Sequence, residues 1–102
     1  VNLTDDPGRG GVQPDDVEAM VARVLATGTI RLRGVMAVAP LDEGPRAAFA
    51  RLRSISERVV SLAPAATDIS AGMSGDYAEA IAEGATHLRI GTAITGKRPD
   101  AP

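Results

Sequence analysis

Apolar residues recur with the period of an amphipathic helix in three places along the chain. The first place is bounded by Pro14, which fits the first position of a helix, and by Gly28, which is typical of a helix C-terminal end. Five apolar residues between them fall on one face: Val17, Met20, Val21, Val24 and Leu25. The pattern predicts a helix that begins at Pro14 and ends before Gly28.

A second helical pattern opens at Pro45, and a third, shorter one covers residues 76–83. The apolar stripe of the second helix consists of Phe49, Leu52, Ile55, Val59 and Leu62. In the third helix the same spacing predicts that Tyr77, Ala80 and Ile81 point inward. Each helix therefore has one face with which it can cover a sheet.

Short apolar segments alternate with these helices. They lie at residues 1–4, 30–39, 67–71 and 87–91. The second segment is nearly continuous in apolar residues from Gly34, which is typical of a parallel strand buried on both faces. Short connections between alternating strands and helices favour parallel neighbours. The sequence thus predicts an α/β fold with four parallel strands alternating with three helices, in a single domain over residues 1–102.

Two glycine-rich turns follow the third and fourth predicted strands, at residues 72–75 (GMSG) and 91–96 (GTAITG). In (β/α)₈ barrels the loops after the seventh and eighth strands, together with the N-terminus of a short helix, often hold a phosphate group. Four strands and three helices could also form a small open sheet. The position of the two turns favours the C-terminal half of a (β/α)₈, TIM-type barrel.

Composition narrows the possible functions. The chain has no cysteine and one histidine, which excludes a disulfide framework, a thiolate metal site and a histidine-rich metal site. This cysteine usage fits a cytoplasmic protein. A net charge of −2 without a basic stripe gives no reason to expect nucleic acid as a partner.

The length of the apolar runs and the first residues of the chain add further expectations. No apolar run approaches the roughly 20 residues that a membrane-spanning helix needs, so no membrane partner is expected. Residues 1–11 are acidic and glycine-rich, unlike a signal peptide. The sequence also opens without a methionine, within a predicted strand, which indicates a fragment.

The residues that could carry chemistry lie in the two turns. Met73, Ser74 and Gly75 belong to the first, and Gly91 and Thr92 to the second. Main-chain N–H groups and hydroxyls are what a phosphate site needs from a chain. Ser74 could be a plain N-cap of the following helix or a cap that also meets an anion, and the residues alone leave both open.

Arg89 stands in an apolar strand, where a guanidinium needs a partner. That partner could be a ligand, or a carboxylate such as Asp68 or Asp76, and the sequence leaves both alternatives open. Arg89 and Gly91 fall on the same side of their strand. His87 begins this strand at the end far from the turns, so we interpret it as a structural or surface residue.

The segment GTAITGK resembles the first seven positions of a P-loop. The next residue is Arg98 where the motif requires Ser or Thr, and Pro99 prevents the helix that should follow. We therefore reject a P-loop and interpret Lys97, the one lysine, as an exposed tail residue.

Three stretches carry a family resemblance: LRGVMAVAP (32–40), SAGMSGDYAEAIAEGATHLRIGTAITGKR (70–98) and the VNLT…GRGGV segment. They resemble the C-terminal half of the YggS/PROSC family, the pyridoxal 5′-phosphate (PLP) homeostasis proteins related to the N-terminal domain of alanine racemase. The resemblance implies strands 5–8 of a single (β/α)₈ barrel more than twice this length. In that family a lysine near the first strand holds PLP as a Schiff base, and Lys97 does not match its position.

The resemblance also implies roles for the turn residues. Ser74 with its neighbours Met73 and Gly75, and Gly91 with Thr92, would cradle the PLP phosphate. Arg89 would face the pyridine nitrogen, keep it unprotonated and leave the ring a poor electron sink. This matches members of the family that bind and carry PLP with little catalysis, so the implied function is PLP binding and homeostasis without enzymatic activity.

Two alternatives remain. A PLP-dependent amino-acid racemase fragment would need a lysine and a second acid or base such as a tyrosine, whereas Tyr77 sits on a helix. A truncated, inactive half-barrel would expose open sheet edges and an apolar face. Such a chain is expected to pair with the missing N-terminal half of the barrel or with its own copy.

Overall fold

The computed structural model describes residues 1–96. Its helices and strands, in chain order, are 3₁₀ turns at Pro7–Arg9 and Pro14–Asp16, α1 (Val17–Thr27), β1 (Gly34–Met36), α2 (Pro45–Leu62), β2 (Asp68–Ser70), α3 (Tyr77–Ala82) and α4 (Thr92–Thr95). The predicted α/β class is confirmed, with helices and parallel strands alternating along the chain. No helix in this part of the chain is long and apolar enough to cross a membrane.

The first predicted helix is confirmed, including its ends. Pro14 starts a 3₁₀ turn that runs directly into α1. Gly28 ends α1 in a left-handed conformation with φ 68°, and its N–H donates to the Leu25 carbonyl. Arg58 of α2 then donates to Glu18 and to the Pro14 carbonyl, which ties the beginning of this helix to α2.

The long helix α2 supplies more of the core than any other helix or strand. Its buried residues include Ala48, Phe49, Leu52, Ile55 and Val59. These residues pack with Ala37 and Ile69 of the strand region into one apolar cluster. The predicted stripe extends one turn too far, because Leu62 at the end of the helix is 47% exposed.

The sheet has two strands within residues 1–96, so the prediction of four strands is wrong for two of them. β1 and β2 are parallel, with Val35 opposite Ile69 and Met36 opposite Ser70. The predicted strands at residues 1–4 and 87–91 lie near this pair without forming ladders.

The ladder beside β2 is interrupted at Gly72. His87 forms a parallel bridge with Ser70, donating to the Ile69 carbonyl at 3.1 Å and accepting from the Ala71 N–H. A regular parallel ladder would next join the Arg89 N–H to the Ala71 carbonyl. Instead the Arg89 N–H donates to the Gly72 carbonyl at 2.8 Å. Gly72 has φ +100°, which turns the chain at this residue and ends the ladder after one bridge.

The N-terminal segment leaves β1 after one contact. The Val1 nitrogen donates to the Met36 carbonyl at 2.7 Å, and burial lowers the pKa of this amino group. The Asn2 N–H then donates to the Val12 carbonyl rather than to β1. The Asn2 side chain is buried, and its oxygen accepts from the N–H and the hydroxyl of Thr4. These contacts fold residues 1–12 into a closed loop.

Candidate functional site

The first glycine-rich turn follows β2 and is held tightly against α3. A Cβ atom at Gly72 would lie 2.7 Å from the Ala80 Cβ and 3.1 Å from the Leu88 Cδ2. The first distance is shorter than a Cβ contact can be, and φ +100° is in addition a conformation that residues with a side chain rarely adopt. Gly72 is therefore the residue that lets α3 close over the turn, while the space around Gly75 is open.

A hydrogen bond between a main-chain N–H group and an aspartate side chain closes this turn. The Met73 N–H donates to the Asp76 Oδ1 at 2.8 Å, and the Asp76 N–H donates back to the Met73 carbonyl at 3.2 Å. The Met73 N–H is thus already used within the protein. A main-chain contact from Met73 to a ligand, as the family resemblance implies, would have to replace the bond to Asp76.

The second turn contains a short helix that the sequence did not predict. In α4 the Ile94 and Thr95 N–H groups both donate to the Gly91 carbonyl at 2.9 Å, and the Thr95 hydroxyl donates to the same oxygen. Four residues are too few for a helical period to be visible. A short helix after the last strand segment is nevertheless the arrangement found at barrel phosphate sites.

Ser74 joins the two turns. Its Oγ accepts a hydrogen bond from the Ala93 N–H in α4 at 2.9 Å. The interpretation of Ser74 as the N-cap of α3 is wrong, since α3 is preceded by Asp76 and has no side-chain cap. Ser74 and Thr92, 18 positions apart in the sequence, therefore lie on the same side of the molecule.

Among residues 1–96, five main-chain N–H groups of the two turns have no acceptor. Gly72 is buried, whereas Ser74, Gly75, Gly91 and Thr92 are at least partly exposed, so their N–H groups remain available. The Ser74 hydroxyl accepts from Ala93 and still has its own hydrogen to donate. Two touching turns with free main-chain donors and hydroxyls can bind an oxyanion.

Arg89 has no carboxylate partner in the described part of the chain, so both suggested ion pairs are wrong. Its Nη2 donates to the Ala37 carbonyl at 2.9 Å, whereas its Nε is buried without an acceptor. Asp68 instead lies 3.5 Å from the Arg33 Nη2, and Asp76 accepts from Met73. A buried donor without an acceptor is costly, so Arg89 can gain from a ligand acceptor.

A cleft that the sequence did not reveal is lined in part by Ala37, whose carbonyl accepts from Arg89. It has a volume of about 370 Å³ and is lined by the loop at residues 1–11 and by residues 36–39 after β1. Arg9 and Ala37 both line it. Because the Ala37 carbonyl is the acceptor for Arg89, this cleft borders the same edge of the sheet as the guanidinium. In the sequence, the glycines around Arg9 were the signal that could have indicated this cleft.

Other predicted features lie away from these turns. His87 is exposed, and its Nδ1 lies 2.8 Å from the Thr86 hydroxyl. No group of His, Asp and Glu in residues 1–96 could hold a metal ion. Lys97 and the end of the rejected P-loop motif lie outside the described residues.

Sequence comparison assigns the family. Residues 1–99 match the family described as alanine racemase, N-terminal domain, and the chain belongs to this family. Within it the chain resembles proteins named pyridoxal phosphate homeostasis protein. It is 42% identical to that of Mycobacterium tuberculosis H37Rv and 42% identical to that of Pseudomonas aeruginosa PAO1, with 96% of the chain covered in both. The resemblance to the YggS/PROSC family is confirmed.

Solved structures give the same relationship. PipY of Synechococcus elongatus PCC7942 without PLP superposes with a TM-score of 0.82 over 94% of the chain, at 35% identity. PipY with PLP bound gives a TM-score of 0.80 at 34% identity. The chain spans 39% and 43% of the two bacterial relatives and 47% of PipY without PLP, so it corresponds to less than half of these proteins.

Proposed function

We propose that the chain is the part of a PLP homeostasis protein that binds the phosphate and the pyridine nitrogen of PLP. The observation that carries this proposal is the hydrogen bond from Ala93 to Ser74. This bond holds the two turns together. In the turns, the N–H groups of four partly or fully exposed residues have no partner among residues 1–96: Ser74, Gly75, Gly91 and Thr92. The PLP-bound structure of PipY, to which the chain is similar, supports PLP as the ligand.

The two turns would bind the phosphate and Arg89 the ring. The available N–H groups and the hydroxyls of Ser74 and Thr92 supply neutral donors to a dianion. The guanidinium is always charged and cannot accept a proton, so it would donate to the ring nitrogen and keep that nitrogen unprotonated. When bound, PLP supplies an aldehyde that condenses with amines and a ring that can withdraw electrons.

We propose further that the chain forms half of a (β/α)₈ barrel. Its share of the relatives' length, near two fifths, and its parallel β-α-β pairing support this. Met36 is 51% exposed and Val38 44% exposed, on the sheet face that no described helix covers. In this proposal, the other half of the barrel or a second copy of the chain covers that face.

A racemase is the second candidate, because the matching family is described by alanine racemase. Racemisation would require an acid or base on each side of the substrate. The single tyrosine, Tyr77, lies on α3 rather than at a strand end. The tethered Arg89 would also leave the ring a weak electron acceptor, so we favour the binding function.

Binding of pyridoxine 5′-phosphate tests the proposal directly. This ligand carries an alcohol in place of the aldehyde, so it cannot form an imine with Lys97 or the amino terminus. We expect calorimetry to detect pyridoxine 5′-phosphate but at least ~10-fold weaker binding of pyridoxine, which lacks the phosphate and its charge-assisted hydrogen bonds. Inorganic phosphate should compete.

Variants locate the site. Ser74→Ala removes both the hydroxyl and the bond to Ala93, and should weaken binding of pyridoxine 5′-phosphate by ~10-fold. Ser54→Ala, in an exposed position of α2, is the matched control and should leave binding unchanged. No binding by the wild-type chain, or equal affinities for the phosphorylated and unphosphorylated ligands, would contradict the proposed function.

A further inference from the structure

We infer that Asp76 is a positioning residue for the phosphate-binding turn, an inference that rests on the proposed function. Its carboxylate accepts a hydrogen bond from the Met73 N–H. This bond shapes the turn so that the next two N–H groups, those of Ser74 and Gly75, stay free for a ligand. No contact between Asp76 and the ligand itself is required.

The hydrogen bonds around Asp76 give it this position. The side chain accepts from Met73 at 2.8 Å while the main-chain N–H of Asp76 returns a bond to the Met73 carbonyl at 3.2 Å. The Asp76 carbonyl accepts from the Ala80 N–H in α3. Asp76 thus links the turn to the helix behind it, and the residues between these bonds are Ser74 and Gly75.

Alternative roles for this carboxylate find no support in the structure. Asp76 forms no ion pair with a basic residue among residues 1–96, and its side chain does not cap α3. Within residues 1–96, its carboxylate accepts its hydrogen bond from the Met73 N–H. An acceptor oxygen is therefore what the turn uses, rather than an ion pair or a cap.

Charge and hydrogen bonding should act in opposite directions at this residue. A carboxylate beside a phosphate dianion repels it, whereas the bond to Met73 shapes the turn that binds it. Asp76→Asn keeps an acceptor oxygen at nearly the same place and removes the charge. Asp76→Ala removes both. Comparing the two variants separates the contributions.

The test measures the affinities of the full chain for pyridoxine 5′-phosphate and pyridoxine by calorimetry. We expect Asp76→Ala to weaken binding of the phosphorylated ligand by ~10-fold and to leave pyridoxine unchanged. Asp76→Asn should bind the phosphorylated ligand at least as well as the wild type. Glu79→Ala, which removes a carboxylate from α3, the helix that directly follows Asp76, is the charge-matched control and should resemble the wild type.

Each outcome decides a point. The positioning role would be overturned if Asp76→Ala kept the wild-type ratio of affinities for pyridoxine 5′-phosphate and pyridoxine. It would also be overturned if Asp76→Asn lost as much affinity for the phosphorylated ligand as Asp76→Ala does. If Asp76→Ala does not fold, as judged by circular dichroism, Asp76→Leu offers a similar shape without an acceptor and takes its place. A wild-type chain that does not discriminate between the two ligands would overturn the proposed function itself, whatever the variants do.

Discussion

The two faces of the sheet differ in what covers them. Successive residues of a strand point to opposite faces. Ala37 and Ile69 face the helices and are buried with Leu52 of α2, whereas Met36 and Val38 on the other face are about half exposed. The helix side is a packed core, whereas the other side presents partly exposed apolar side chains. The proposed site lies at the edge between the two faces, where β2 gives way to the glycine-rich turn.

The largest predicted effect comes from adding a side chain between β1 and β2. A Cβ at Gly34 would lie 1.8 Å from the Asp68 carbonyl oxygen, within the backbone of the neighbouring strand. Gly34→Ala should therefore separate the strands and lower the free energy of unfolding by more than about 3 kcal/mol. Gly44→Ala, where nothing lies within 4 Å of the new Cβ, is the control and should cost about 1 kcal/mol or less. Urea unfolding of both variants checks this, and equal stabilities would contradict the strand pairing.

The second effect is expected on the helix side of the core. Leu52 is completely buried, whereas Leu62, ten residues later on the same helix, is 47% exposed. Leu52→Ala should lower the free energy of unfolding by about 2–5 kcal/mol because it leaves a cavity. Leu62→Ala should lower it by about 1 kcal/mol or less. If Leu62→Ala proved as costly as Leu52→Ala, the end of α2 would be packed in solution against a surface that the structure does not show.

The smallest effect on stability, with the clearest effect on association, is expected on the open face. Replacing Met36 and Val38 by serine removes apolar surface that is already partly in water, so the free energy of unfolding should change by less than about 1 kcal/mol. Sedimentation velocity should show less self-association of the double variant than of the wild type. Leu41→Ser, in a loop where the leucine is 97% exposed, is the control. A wild-type chain that sediments as a stable monomer would argue against pairing through this face.

Much of the helical structure could be predicted because its signals are local. Pro14 and Gly28 bound α1, and the apolar spacing of α2 identifies its buried face. The strand prediction was less accurate, because an apolar run does not reveal whether its hydrogen bonds reach a neighbour. At residues 87–91 the ladder stops because Gly72 turns its carbonyl out of register.

The candidate site was likewise predictable only in part. The glycines and hydroxyls of both turns were visible in the sequence, and so was the need of Arg89 for a partner. The bond between Ser74 and Ala93 could not be predicted, since it joins residues 19 positions apart through the packing of two turns. The bond from Met73 to Asp76 was equally hidden, because an aspartate before a helix is normally interpreted as a cap.

Amide-resolved ¹H–¹⁵N spectra during a titration with pyridoxine 5′-phosphate test the account most directly. We expect the amide signals of Ser74, Gly75, Gly91 and Thr92 to shift together along one binding curve. Met73, whose N–H is bonded to Asp76, should shift less. Pyridoxine at the same concentrations should leave these signals in place. Shifts confined to one of the two turns, or equal shifts with pyridoxine, would contradict a phosphate site built from both.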